Sequence, residues 1–87
     1  MSVTYAYDPV ARIVRIIKGR DDHRPRRWTV QVWYHTLEGR EGYQMTLHTK
    51  QPCLLPDLPK VIRQQIEEHA EALGCACQVY RWVATSR

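Results

Sequence analysis

The sequence predicts an α+β domain in two layers, an antiparallel sheet of about five strands with one helix on one face, in the order β-β-β-β-α-β. Three observations predict it. Several segments alternate apolar and polar residues with a period of two, as half-buried strands do. One segment, residues 58–73, instead spaces its apolar residues by three and four, as a helix does. Turn-forming residues separate the alternating segments, so neighbouring strands can fold back as hairpins.

Residues 3–7 alternate Val3, Tyr5 and Tyr7 against Thr4 and Ala6. Asp8-Pro9 then makes a turn, because Asp bonds its own downstream backbone and Pro presets its φ. A β-branched run over residues 12–18 returns as the second strand. With Pro9-Val10 at the turn centre, Tyr5 faces Val14 and Val3 faces Ile16, which matches apolar residues on one face. Residues 19–27 hold charged side chains, a Pro and no apolar residue, so they form an exposed loop.

The third and fourth strands carry the clearest pattern. Trp28, Val30, Val32 and Tyr34 alternate with Thr29, Gln31, Trp33 and His35, and Tyr43, Met45 and Leu47 alternate with Gln44, Thr46 and His48. A two-residue turn at Gly39-Arg40 fits a type II′ hairpin with Gly first. That register sets Val32 opposite Leu47 and Tyr34 opposite Met45. On the other face it sets Gln31 across from His48, Trp33 from Thr46 and His35 from Gln44.

After a Pro-bounded connection, Asp57 is placed to cap a helix, and Pro59 fits its first turn because the missing N–H would be unpaired there. Leu58, Val61, Ile62, Ile66, Ala70 and Leu73 form the apolar stripe, and Gly74 suits the left-handed stop. Residues 75–83 read as the last strand and residues 84–87 as a frayed tail. The expected core is Tyr5, Val14, Ile16, Val30, Val32, Tyr34, Met45, Leu47 and the helix stripe. One helix covers one sheet face, so the other face is left bare.

With 87 residues the chain makes a single domain, 1–87. A domain this small buries only ~60% of its unfolded surface, which leaves little room for a deep catalytic pocket. Net charge is +4, and ten of the thirteen basic residues are Arg. Arg grips phosphate and carboxylate in a two-pronged fork, so an acidic partner surface is favoured. The three cysteines, an odd number, and an N-terminus with no basic-then-apolar leader suggest a reducing cytoplasmic setting. No apolar run approaches the ~20 residues that cross a bilayer, so no membrane partner is expected.

Catalytic chemistry finds no foothold. Cys75-Ala76-Cys77 puts two thiols on one side of a strand, but structural zinc sites need wider spacing and a second pair, so no metal or other cofactor is expected. Cys53 has no local motif joining it to any of the four histidines. Asp21-Asp22 sits among arginines, and Glu67, Glu68 and Glu71 lie on a solvated helix face. The four glycines fall at turns or the helix end, so no phosphate loop exists.

Two constellations remain. Arg24, Arg26 and Arg27 cluster with Arg20 and His23 beside Trp28, a mixture that suits phosphate contact. On the bare sheet face Trp33 stands with His35 and, on the neighbouring strand, His48, while Tyr80 and Trp82 could extend that surface. An exposed indole among amides and imidazoles is the composition of an interface hot spot. The sequence therefore reads as a non-enzymatic binding or regulatory module of the inhibitor or adaptor type, a class often encoded on phages and mobile elements. Its contacts with a larger protein or nucleoprotein would be Trp33, His35, His48, Arg24, Arg26 and Arg27. The alternative is a nucleic-acid-binding protein that uses the Arg-rich loop 20–27 on phosphates and Trp28 or Trp33 to stack on bases. A homodimer joined through the open sheet face is a third reading.

Overall fold

The computed structural model describes residues 2–20, 23–39 and 41–87. Its strands are β1 (Thr4–Asp8), β2 (Ile13–Lys18), β3 (Trp28–Thr36), β4 (Gly42–His48) and β5 (Cys77–Ser86), with a 3-10 turn (Leu55–Asp57) leading into helix α1 (Leu58–Leu73). This is the predicted β-β-β-β-α-β order in one antiparallel five-stranded sheet. The strand order is β2-β1-β5-β3-β4. The last strand of the chain thus lies at the centre, between the two hairpins. No helix among the described residues is long and apolar enough to cross a membrane.

Both hairpins pair two residues away from the expected register. Tyr5 faces Ile16 and Tyr7 faces Val14, while Val30 faces Leu47, Val32 faces Met45 and Tyr34 faces Tyr43. A slip of two keeps every side chain on its face, whereas a slip of one would invert the faces. The loops explain the slip, because each is longer than the predicted two-residue turn. In the first, Asp8 accepts hydrogen bonds at Oδ1 from Val10 N (2.9 Å) and Ala11 N (3.2 Å), and Arg12 takes a left-handed φ of 57°. These two backbone bonds, helped by Arg15, hold the Asp8 carboxyl below its ordinary pKa. In the second, Thr36 closes the chain by accepting from Gly39 N through both its carbonyl and its hydroxyl. The expected turn residue Arg40 lies outside the described residues.

The core forms where α1 meets β5 and β3. Leu58, Ile62 and Ile66 from the helix bury against Val3, Tyr5, Trp28, Val30, Val32, Tyr34, Leu47, Trp82 and Ala84. Met45 packs at its margin. Within the predicted stripe Val61 and Ala70 are only half-buried and Leu73 is exposed. Asp57 precedes the helix without a side-chain cap bond, and Gly74 ends it at φ 77°.

Two core expectations fail for one reason. Val14 and Ile16 were expected inside, but they are 37% and 46% exposed. A helix with its side chains is about 10–12 Å across, while strands lie ~4.8 Å apart, so it roofs two or three strands. The observed order puts β2 at the edge, beyond that reach. Conversely, residues 84–86 are not a frayed tail: they continue β5, with Ala84 and Ser86 buried. Ser86 Oγ accepts from Val3 N at 2.8 Å and Arg87 donates to Thr49 O at 2.8 Å.

Candidate functional site: the uncovered sheet face

The alternation that buries Val30, Val32 and Tyr34 sends Thr29, Gln31, Trp33 and His35 to the face opposite α1. From β4, Gln44, Thr46 and His48 join them, because Trp33 pairs with Gln44, Gln31 with Thr46 and Thr29 with His48. From β5 come Arg81, Val83 and Thr85. Trp33 is half-buried in the chain's own surroundings, and part of its indole stays open to solvent.

Arg81 lies directly across from Trp33, and its guanidinium sits 4.8 Å from the indole centroid. This is a cation–π contact at a solvent-facing position, worth ~0.5–1 kcal/mol. A register shift between Trp33 and Tyr34 interrupts the β3–β5 ladder. The extra residue this accommodates is Tyr80, whose ring lies 5.8 Å from His35 and whose hydroxyl closes over Gly42. A bulge of this kind re-aims a side chain. Here it sends Tyr80 to the open face, although simple alternation with Arg81 would have sent it inward. Trp33, Arg81, His35 and Tyr80 therefore form one contiguous patch.

His48 belongs to the same face but not to this patch. It stands opposite Thr29, whose hydroxyl is 3.3 Å from its Nδ1. Thr29 and Trp33 are four steps apart along β3, a rise of ~13 Å. The Arg loop lies beyond that same far end. Arg26 forms an isolated bridge to Cys53, exchanging backbone bonds of 3.0 and 2.9 Å with it. Arg24, Arg26 and Arg27 line an open groove of about 570 Å³ with Arg87, Pro25 and Pro52. Of the six predicted contact residues, Trp33 and His35 thus lie in an aromatic patch at one end of the sheet, Arg24, Arg26 and Arg27 line an arginine groove at the other, and His48 belongs to neither.

Two aromatic expectations are corrected. Trp28 is 1% exposed, donates its indole N–H to Cys53 O at 3.0 Å and meets the Tyr5 ring edge-on, so it cannot stack on a base. Trp82 is 4% exposed and stacks against Tyr7 on the helix side, so it does not extend the open face, whereas Tyr80 does. Arg81 was missed as a site residue. The signal was its position in the alternation of the last strand, which became readable only once β5 was known to lie beside β3.

On the covered side, Tyr34 hydroxyl and His69 Nε2 are 2.9 Å apart and tie α1 to β3. Burial raises the Tyr34 pKa. The three thiols are free and half-buried. Burial, followed by the nearby Asp57 carboxylate, raises the pKa of Cys53, and burial raises that of Cys77 with Cys75 adding to it. Such thiols carry little thiolate at neutral pH and are poor nucleophiles. Among the described residues no three His, Cys, Asp or Glu side chains converge as a metal site would require. Compared with known protein families, curated proteins and solved structures, the chain shows no significant match to any of them.

Proposed function

We propose that this protein is a non-enzymatic binding module of the inhibitor or adaptor type, working in a reducing cytoplasmic setting, that docks its uncovered sheet face against an acidic surface of a larger macromolecule. The observation that carries this reading is Trp33, an indole only half-buried on a face without a helix and flanked by Arg81 and the His35–Tyr80 pair. An aromatic anchor bordered by Arg is the usual energetic centre of an interface. The guanidinium stacked on the indole holds a positive charge where an incoming carboxylate would meet it. Such charges steer encounter and select partners more than they add affinity.

The test is capture from a lysate of the native host, comparing wild type with Trp33→Ala, Arg81→Ala and a Glu71→Gln control on the exposed helix face. Retention of one partner by wild type and by Glu71→Gln, with loss by Trp33→Ala and Arg81→Ala, supports the reading. Equal capture by all four chains overturns it.

A second reading, nucleic-acid binding, rests on the convergence of Arg24, Arg26, Arg27 and Arg87 on one groove. It predicts oligonucleotide affinity that falls steeply with added salt and weakens in an Arg26→Ala/Arg27→Ala variant. An absence of binding at low salt removes it. A homodimer through the open face predicts a dimer by light scattering that Trp33→Ala converts to monomer.

A further inference from the structure

The two edges of the sheet differ in a way that points to a second binding surface. Edge strand β4 alternates polar and apolar residues. It shows Gln44, Thr46 and His48 on the open face and Tyr43, Met45 and Leu47 on the helix side. Edge strand β2 carries two charges, Arg15 and Lys18, and a register break at Ile17, the devices that guard an edge, yet is apolar at its other positions. All its residues are exposed, and they include Ile13 (47%), Val14 (37%), Ile16 (46%) and Ile17 (63%). Ile13 points to the open face, and Val14 and Ile16 share the helix side with Tyr7 and Tyr5, while Ile17 falls at a break in the register and has no partner on β1. Exposed apolar side chains along an unpaired edge give an incoming strand a surface to pack against. Among the described residues β2 has one neighbour, β1. Its outer row of backbone donors and acceptors faces solvent.

We propose that the β2 edge is a strand-addition site that accepts an extended segment of a partner protein in which apolar residues alternate with carboxylates. The backbone supplies the pairing groups, as in other complexes that lengthen a sheet. The apolar residues of the incoming strand would continue the surface of Val14 and Ile16 on the helix side, and its carboxylates would meet Arg15 and Lys18 on the open face. On the helix side Val14 also borders a groove of about 550 Å³ lined by Tyr7, Ile62, Ile66 and Trp82 together with Arg63 and Glu67. That groove gives a large side chain of the guest somewhere to lean.

Charge selects the occupant. Residues 9–20 contain Arg12, Arg15, Lys18 and Arg20 and no acidic residue. Arg15 meets Asp8 at 3.6 Å across the hairpin, with both side chains partly open to solvent. Antiparallel pairing of β2 with a second copy of itself would bring the basic side chains of one strand beside those of the other. Like charges placed along an exposed edge deter such self-pairing. A guest carrying Asp or Glu meets the same charges favourably, so the edge that repels its own copy attracts an acidic strand.

The experiment is selection of a random linear-peptide library on the folded chain, followed by mapping of the enriched peptide on the backbone amide NMR spectrum. The expected sequences alternate apolar residues with Asp or Glu and lack Pro. Their amide footprint falls on Ile13–Lys18. Arg15→Glu and, separately, Lys18→Glu each weaken binding by roughly tenfold, the scale of reversing one exposed charge contact. The amide spectrum of each variant reports whether its fold is retained, and two variants guard against local damage to the Asp8 pairing. Enrichment of basic or unpatterned sequences, a footprint on β4, or no enrichment at all overturns the proposal. So does a concentration-dependent dimer whose footprint is β2 itself. A footprint centred on Trp33 and Tyr80 overturns it too while leaving the open-face reading standing, so the two surfaces fail separately.

Discussion

Replacing each indole in turn separates a docking residue from a structural one. Trp28→Ala removes a fully buried side chain, its edge contact with Tyr5 and its hydrogen bond to Cys53 O. Truncations of this kind cost about 3–5 kcal/mol. Trp33→Ala removes a half-buried ring and its contact with Arg81. An exposed cation–π contact is worth ~0.5–1 kcal/mol, and the covered part of the ring adds about 1.5–2 kcal/mol, so the expected cost is about 2–3 kcal/mol. A domain of this length has a total stability of ~4–13 kcal/mol. Trp28→Ala therefore takes a large part of the whole, and Trp33→Ala leaves a folded protein.

Thermal unfolding followed by circular dichroism measures both variants. In a domain this size ~1 kcal/mol corresponds to 4–8 °C in Tm, so Trp33→Ala melts roughly 10–25 °C lower and Trp28→Ala lower still. In an Arg81→Ala background the cost of Trp33→Ala shrinks by about the cation–π contribution. If Trp33→Ala destabilises as much as Trp28→Ala, the indole is a structural element and the open-face docking reading loses its main support.

Other perturbations have equally definite outcomes. Gly19 and Gly74 both hold positive φ, but a Cβ at Gly19 would stand 2.6 Å from Ser2 O, whereas one at Gly74 meets open space. Gly74→Ala is expected to cost only the left-handed penalty of about 1–2 kcal/mol, and Gly19→Ala clearly more, by urea unfolding. Ser86→Ala leaves the buried Val3 N–H without its 2.8 Å acceptor, a loss of ~1–3 kcal/mol. Burial holds Tyr34 protonated above its ordinary range. Its contribution is therefore whole below about pH 10 and is lost as pH rises through the raised folded value. Urea midpoints should fall across that window alongside tyrosinate absorbance, and Tyr34→Phe should flatten the fall. Asp8, whose pKa is lowered chiefly by the Ala11 and Val10 amides, acts in the opposite direction. Its stabilisation is present above the ordinary carboxylate range and is lost in acid as pH falls through the lowered folded value, a dependence that Asp8→Asn removes.

The local chemistry of the chain determined its elements and their faces. Two-residue alternation assigned Val30, Val32 and Tyr34 inward and Gln31, Trp33 and His35 outward, and three-four spacing made residues 58–73 a helix that stops at Gly74. These are properties of neighbours along the chain, set by where successive Cβ atoms point, and they survived a two-residue error in both hairpins because faces repeat with that same period.

Tertiary structure decided which strands lie beside which. Placing β5 between β1 and β3 buried Trp82, Ala84 and Ser86, brought Arg81 over Trp33 and left β2 outside the shelter of the helix. Sheet order rests on contacts between residues far apart in sequence, and a strand's own pattern says which side is apolar without saying who its neighbours are. Periodicity accordingly separated the two faces of the sheet, while the long-range packing of one central strand chose its edges and assembled the patch on its open side.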